Sequence, residues 1–480
     1  MLHPHAPPIK PLSGEVKASI DNLAARFASH FPLTLSGPRT IGREAEYPVV
    51  TPTGEAADVQ RLWEPLQASG DFRVQYDNND PTRLIVSLED EGASYALEVG
   101  RGTIEVITGP CTDLFELQTA HEAAVRRLVQ AAAPLDYRVL GYGIQPLTPP
   151  SLELMAAKQR YQVIYEALGE PWLWFTLTAS DQVQIDISQP ELVHMINFGN
   201  LMAPVMVALC ANSPIWAGSA SRYASAREGQ MGQIHAAEYR HGMVKHPFKD
   251  VADFIETMSQ ETCLVLRQNL HYFVYNRPFL TYLATHGPDF SAYLLHEHYI
   301  WNSARARTNH ATIELRPACQ QPWAEHMAAA ALGLGLVEAA TAIESYLEQQ
   351  FGAKVWSTLR AYHQQVIAQG LAAPQPVPDL LQQILTLAAK ALKQRGRGEE
   401  AFIEPLFGRL ARGVNPAQEA LQIFQQGGLA QLLAHVNIGI GTIWVLVCQT
   451  RPFEDQPAAD SDFSVHRALG LGRCRPFVVL

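Results

Sequence analysis

The sequence predicts an α+β protein, in which an antiparallel, cupped β-sheet turns a polar concave face to a site and packs its other face on helices. Three observations carry that expectation. Strand-like runs in the first two thirds of the chain alternate apolar and polar residues at period two. Four of these runs set polar or charged groups along one face: Glu44 and Glu46; Glu98 and Glu105; Gln182, Gln184 and Asp186; Glu314 and Arg316. From about Glu325 to Ala434 the pattern becomes helical and rich in Ala, Leu and Gln, which predicts a helical C-terminal part.

In chain order, Gly14 to His30 has amphipathic helical spacing, and Pro38 to Val50 begins the sheet. Glu44 and Glu46 stand two apart on that strand, so both leave the same face. Pro81 to Leu88 supplies another strand. The stretch YALEVGRGTIEVITGP, Tyr95 to Pro110, reads as two strands joined at a glycine-bracketed turn. With Arg101 and Gly102 as a two-residue loop, Glu98 faces Glu105 across the pair. Like charges set opposite each other are destabilising. A raised pKa, a basic neighbour or a divalent cation would compensate, and the cation is the working reading.

A helix from Leu114 to Ala132 and a strand from Tyr137 to Gly143 follow. TASDQVQIDIS is the most regular strand, with Ser180, Gln182, Gln184 and Asp186 on one side and Val183, Ile185 and Ile187 on the other. Helices dominate from Pro190 to Cys210. The irregular ANSPIWAGSASRYASAREGQ, which carries Arg227, suits a ligand loop. Mixed helices reach Trp301, and Thr312 to Arg316 repeats the strand pattern. Breaks at Phe351-Gly352, Ala373 to Pro378 and Arg412 to Asn415 divide the helical region. The expected organisation is an N-terminal arm and helix (1–37), a catalytic core (38–323), a helical region packed on it (324–435) and an irregular tail (436–480).

The polar faces lack lysine. Carboxylates and amides in that arrangement suit oxygen coordination of Mg²⁺ and hydrogen bonding to a polar ligand. A net charge of -11 gives no global attraction to nucleic acid or an anionic membrane, so neither is expected as a partner and small ligands are favoured. Six scattered cysteines without a CxxC pair fit reduced thiols. The start, MLHPHAPPIKPLSGEV, lacks the apolar core of a signal peptide. The longest apolar run, Val436 to Val447, has roughly half the ~20 residues that a spanning helix needs. A soluble, cytoplasmic protein is expected. His296 and His298 read as a structural pair, since no third ligand stands at useful spacing, and Cys319 reads as packing.

Taken together, IGREAEY, LEVGRGTIEVITGP, KQRYQVIYEAL, TASDQVQID, LCANSPIWAG, YASAREGQ and TIELRPACQQPW resemble, in order and spacing across about Gly42 to Trp323, the plant and proteobacterial type of glutamate-cysteine ligase, among the glutamine-synthetase-like carboxylate-amine ligases. The resemblance implies the glutamine-synthetase-like catalytic fold. It also implies an ATP-dependent enzyme of glutathione biosynthesis that joins glutamate to cysteine through a γ-glutamyl phosphate. Carried over by position, Glu44, Glu46, Glu98, Glu105 and Glu314 would hold Mg²⁺. Arg316, with Glu314 and Arg227, would serve catalysis. Gln182, Gln184, Arg160 and Arg316 would meet the nucleotide or a substrate carboxylate. Where relatives carry GADGGPW, this chain has PACQQPW, with Pro317, Gln320 and Gln321, and Arg305 and Arg307 align with the family's basic run only after a shift. The amine acceptor is therefore cysteine or another amine. The alternatives are a related ligase joining glutamate or another amino acid to a different amine, or a phosphoryl-transfer enzyme on the same scaffold.

Overall fold

Alternation along the strands decides the architecture: each long strand has one row of side chains that must leave water and one row that need not. The computed structural model describes residues 12–77, 83–234 and 240–439. The expected strand start at Pro81, the outer part of the N-terminal arm and the tail from 440, with Cys448 and Cys474, lie outside the described residues.

The strands are β1 (Ile41–Val50), β2 (Arg73–Tyr76), β3 (Ile85–Glu89), β4 (Ala93–Leu97), β5 (Thr103–Cys111), β6 (Arg138–Val139) and β7 (Asp181–Asp186). The short β8 (Ile215–Trp216), β9 (Ser219–Ala220) and β10 (His241–Gly242) follow, then the hairpin β11 (Thr262–Gln268) and β12 (His271–Pro278), and finally β13 (Trp301–Asn302), β14 (Ala304–Arg307) and β15 (Thr312–Leu315). Among the described residues the main sheet has nine strands in the order β14-β15-β7-β1-β5-β4-β3-β2, with β6 added beside β1. Every pairing in it is antiparallel.

The apolar row of β7 and β15, Val183, Ile185, Ile313 and Leu315, is buried in one core with the helices Leu192–Leu201, Ala203–Cys210 and Ala328–Glu338. Behind β1 and β5, Ala45, Tyr47, Ile104 and Val106 pack with Ala124, Val125 and Leu128 of the helix Leu114–Ala132. That helix begins where the Asp113 carboxylate accepts from the amides of Phe115 and Glu116, the side-chain cap that satisfies otherwise orphaned donors. Among the described residues no single helix is long and apolar enough to cross a membrane.

Several expected elements differ. The strand expected over Tyr137 to Gly143 is only Arg138–Val139. The region read as mixed helices before Trp301 holds the β11/β12 hairpin, turned through Asn269 and Leu270 at positive φ. Its outer strand is largely exposed, so it lacks the buried alternation that marks a strand in sequence.

Candidate active site

Glu44 and Glu46 leave β1 on the face opposite the helices, and the register sets Glu46 directly across from Glu105 of β5. The like-charged pair is therefore Glu46 and Glu105. Glu98 does not pair across a hairpin with Glu105, as the two-residue turn required: β4 ends at Leu97, which faces Ile104, and Ala96 faces Glu105. The turn is wider because Val99 to Arg101 hydrogen-bond elsewhere. Ala156 N donates to Val99 O at 2.8 Å and Arg101 N to Leu154 O at 2.7 Å. Gly100 presses on Thr176, where an added Cβ would lie 1.9 Å from the carbonyl oxygen. This wider turn still delivers Glu98 to the same place. One carboxylate oxygen each from Glu46, Glu98 and Glu105 lies within 4.8 Å of the others.

The three acids carry more negative charge than their surroundings offset. Burial, then Glu98, Glu44 and Glu46, push the Glu105 carboxyl well above the usual range. Burial and Glu46 push Glu98 up as well. Glu44 is pushed up to about 7 by burial and the neighbouring Glu314. The nearest lysine, Lys158, is a weak counterweight: burial and Arg160 bring it down to about 7, and its Nζ donates to the carbonyl of Leu97. Hard oxygen donors crowded together without enough positive charge are a suitable seat for a divalent cation such as Mg²⁺. The residues therefore fit the metal.

Amides hold the carboxylates in place. The Gln182 side chain donates to Glu46 at 3.1 Å and to Ser180 Oγ at 2.8 Å, and the Ser180 amide donates to Glu46 at 2.6 Å. Gln184 donates to Glu44 and accepts from Thr312 Oγ1 at 3.1 Å. Gln184 is almost fully buried beneath the site and is a brace, whereas Gln182 also lines the open space.

Glu314 occupies a different environment from the carboxylate trio. Its Oε2 accepts from Arg316 at 2.7 Å and lies 3.1 Å from an Arg305 nitrogen, and its Oε1 lies 3.7 Å from Arg307. Although burial alone would raise it, Arg307, Arg305 and Arg316 hold this carboxyl well below the usual range. Glu314 is thus the counter-ion that gathers three arginines. Arg316 also donates to the side-chain Oε1 of Gln182, which links the cationic group to Glu46.

Arg227 is not in a loop: it opens the short helix Ala226–Met231, capped by Ser225, with its guanidinium 2.5 Å from Glu228. Arg160, second in the helix Gln159–Leu168, lies over the Tyr161 ring at 5.1 Å. All five arginines and Glu44, Glu46, Glu98 and Glu105 line one solvent-open cleft. Trp172, Phe175 and Trp301 form its aromatic wall, with Phe175 and Trp301 ring centroids 4.5 Å apart. Such a cleft can bind a cation on its acidic side and phosphate or carboxylate oxygens on its guanidinium side.

Sequence reasoning missed Lys158 and the aromatic wall, and it did not assign Arg305 and Arg307 a role. The alternation of β14, ARAR, was available as a signal for the two arginines. Lys158 opens the quoted KQRYQVIYEAL but received no role, because it meets Glu98 only through the fold. Of the expected structural pair, His296 is structural, with Nε2 2.8 Å from the Met258 carbonyl and its ring stacked on Phe279, whereas His298 lines the cleft. Cys319 is buried beside Ser213 and Ser225.

The chloroplastic glutamate-cysteine ligase A of Oryza sativa subsp. indica is 23% identical over 383 residues, 74% of each chain. The chloroplastic glutamate-cysteine ligase of Solanum lycopersicum is 24% identical over 370 residues, 71% of this chain and 67% of that one. A solved glutamate-cysteine ligase from Francisella tularensis in complex with AMP superposes with a TM-score of 0.47 at 10% identity, covering 85% of this chain and 88% of the other. The family model described as glutamate-cysteine ligase family 2 matches residues 40–435. The chain therefore belongs to glutamate-cysteine ligase family 2, and its activity is that of an ATP-dependent ligase forming a C–N bond.

Proposed function

We propose that this enzyme joins the γ-carboxylate of glutamate to the amine of cysteine, using ATP and Mg²⁺, in the cytoplasm. The observation that carries this reading is the cleft itself, in which Glu46, Glu98 and Glu105 lie within 4.8 Å of one another and five arginines line the same space. A carboxylate is a poor electrophile at neutral pH, and conversion to an acyl phosphate supplies a leaving group, so the protein's task is mainly positioning and charge neutralisation. Glu46, Glu98 and Glu105 would hold Mg²⁺, with Glu44 beside them. The metal, when bound, would offset the charge of the triphosphate.

Arg316 is the arginine assigned to the transferring phosphoryl group, because Glu314 and Gln182 fix its guanidinium from two sides. Arg305 and Arg307 extend the same cationic surface. Arg227 and Arg160 are assigned to the carboxylates of the amino-acid substrates, where a planar fork makes paired hydrogen bonds. Gln182 aims both Glu46 and Arg316. The test is product analysis by mass spectrometry with glutamate, ATP, Mg²⁺ and a panel of amines that includes cysteine. γ-Glutamylcysteine with stoichiometric ADP is the expected outcome. ADP without any amide product would sink the reading, and amide formation with another amine alone would reassign the acceptor.

A further inference from the structure

The face of the sheet behind the carboxylates carries a second polar layer that the chemistry above does not use. Arg43 stands between Gly42 and Glu44 on β1 and points the opposite way from Glu44. Its guanidinium forks onto Asp181 of β7, with Nε to Oδ1 at 2.7 Å and Nη2 to Oδ2 at 2.8 Å. Both side chains are fully buried. Nη2 also donates to the carbonyl of His326 at 2.8 Å, tying β1 to the segment that enters the helix Ala328–Glu338. The layer continues along β1: the Tyr47 hydroxyl is 2.7 Å from His121 Nε2, and His121 Nδ1 is 3.4 Å from Thr108 Oγ1 of β5. These contacts join β1 to β7 and to β5, the strands that carry Glu44, Glu46, Glu105 and the two glutamines.

A buried ion pair of this kind adds little net stability, because desolvation of the charges offsets their attraction and an apolar pair of similar volume often serves as well. Its geometric effect is larger. A bidentate fork accepts one separation and one orientation. A one-residue slip of β1 would turn Glu44 and Glu46 away from the cleft and into the helix layer. The pair lies directly behind the hydrogen bonds by which Gln182 and Gln184 hold Glu46 and Glu44. We propose that Arg43 and Asp181 are positioning residues, which hold β1 against β7 in the one placement at which Glu46 joins Glu98 and Glu105 around a divalent cation. This inference rests on the metal reading above.

The test uses Mn²⁺ as the probe, its binding to the full chain followed by electron paramagnetic resonance. The main variant combines Arg43→Met with Asp181→Leu. It removes one positive and one negative charge together, so the net charge behind the carboxylates is unchanged. Arg43→Lys is the second variant, because it keeps the charge and loses the fork. Both should fold, with melting checked by circular dichroism, and both should bind Mn²⁺ about 10-fold or more weakly, the range seen when groups that orient metal ligands are removed. The Mg²⁺ concentration for half-maximal activity should rise similarly, with a smaller change in kcat at saturating Mg²⁺. Wild-type Mn²⁺ affinity in either folded variant would overturn the proposal. Glu46→Gln is the control that locates the probe at the carboxylates. A wild-type protein that binds no Mn²⁺ would overturn the metal reading itself, and this inference with it.

Discussion

Glu44 shows how one residue records the conflict built into the site. Its carboxyl is raised from 4.5 to about 7 by burial and by Glu314. A group with a raised folded pKa contributes stability that is complete below the unfolded value and declines as pH rises through the folded one. Metal-free protein should therefore lose melting temperature between about pH 4.5 and 7, and Glu44→Gln should flatten that slope in thermal melts. Glu98 and Glu105 act in the same direction. Glu191 acts in the opposite one: burial would raise it, yet hydrogen bonds from Arg39 and Ser188 bring it down to about 2. Its contribution is present above 4.5 and is lost as pH falls toward 2. Arg316→Lys tests the other side of the cleft. A lysine keeps the charge and loses the planar fork, so kcat should fall about 10²-fold or more in steady-state assays of ADP release, as for other lost transition-state donors, while the fold is retained.

At the scale of the element, the turn from Glu98 to Gly102 is the part that sequence reasoning placed least well. The strands on either side were legible from alternation, and so were Glu46 and Glu105. The turn was not, because its shape depends on hydrogen bonds to Leu154 and Ala156 and on contact with Thr176, all more than 50 positions further along the chain. Gly100 carries the consequence. Gly100→Ala would put a methyl group 1.9 Å from the Thr176 oxygen, an overpacking expected to cost about 1–3 kcal/mol in urea unfolding. The displaced Glu98 should also raise the Mg²⁺ requirement. An unchanged Mg²⁺ titration would mean that Glu98 is not a ligand. The hairpin β11/β12 was missed for a related reason: an exposed strand shows little hydrophobic alternation, so nothing in its residue order sets it apart from a loop or a short helix.

For the whole molecule, the α+β class and the helical C-terminal part were readable because alternation and helical spacing run over long stretches. The helix Leu114–Ala132 was legible to its ends. The assembled site was less so. Glu314 shared the strand pattern of the other acids, yet β14 brings Arg305 and Arg307 against it, and only the sheet order shows that. Because the carboxylates come from distant segments, ligand binding should stabilise the fold as a whole. Mg²⁺ with a non-hydrolysable ATP analogue, each at about 100 times its Kd, should add about 2.7 kcal/mol per independent site, read as a rise in Tm. Glu105→Gln should abolish the Mg²⁺-dependent part of that rise. The position of β14 has a practical corollary. It ends the sheet, while Glu44, Glu46 and Glu105 sit on interior strands clamped from both sides. A designer who wishes to change which anionic partner is received can therefore rework the border strand and leave the cluster of Glu46, Glu98 and Glu105 intact.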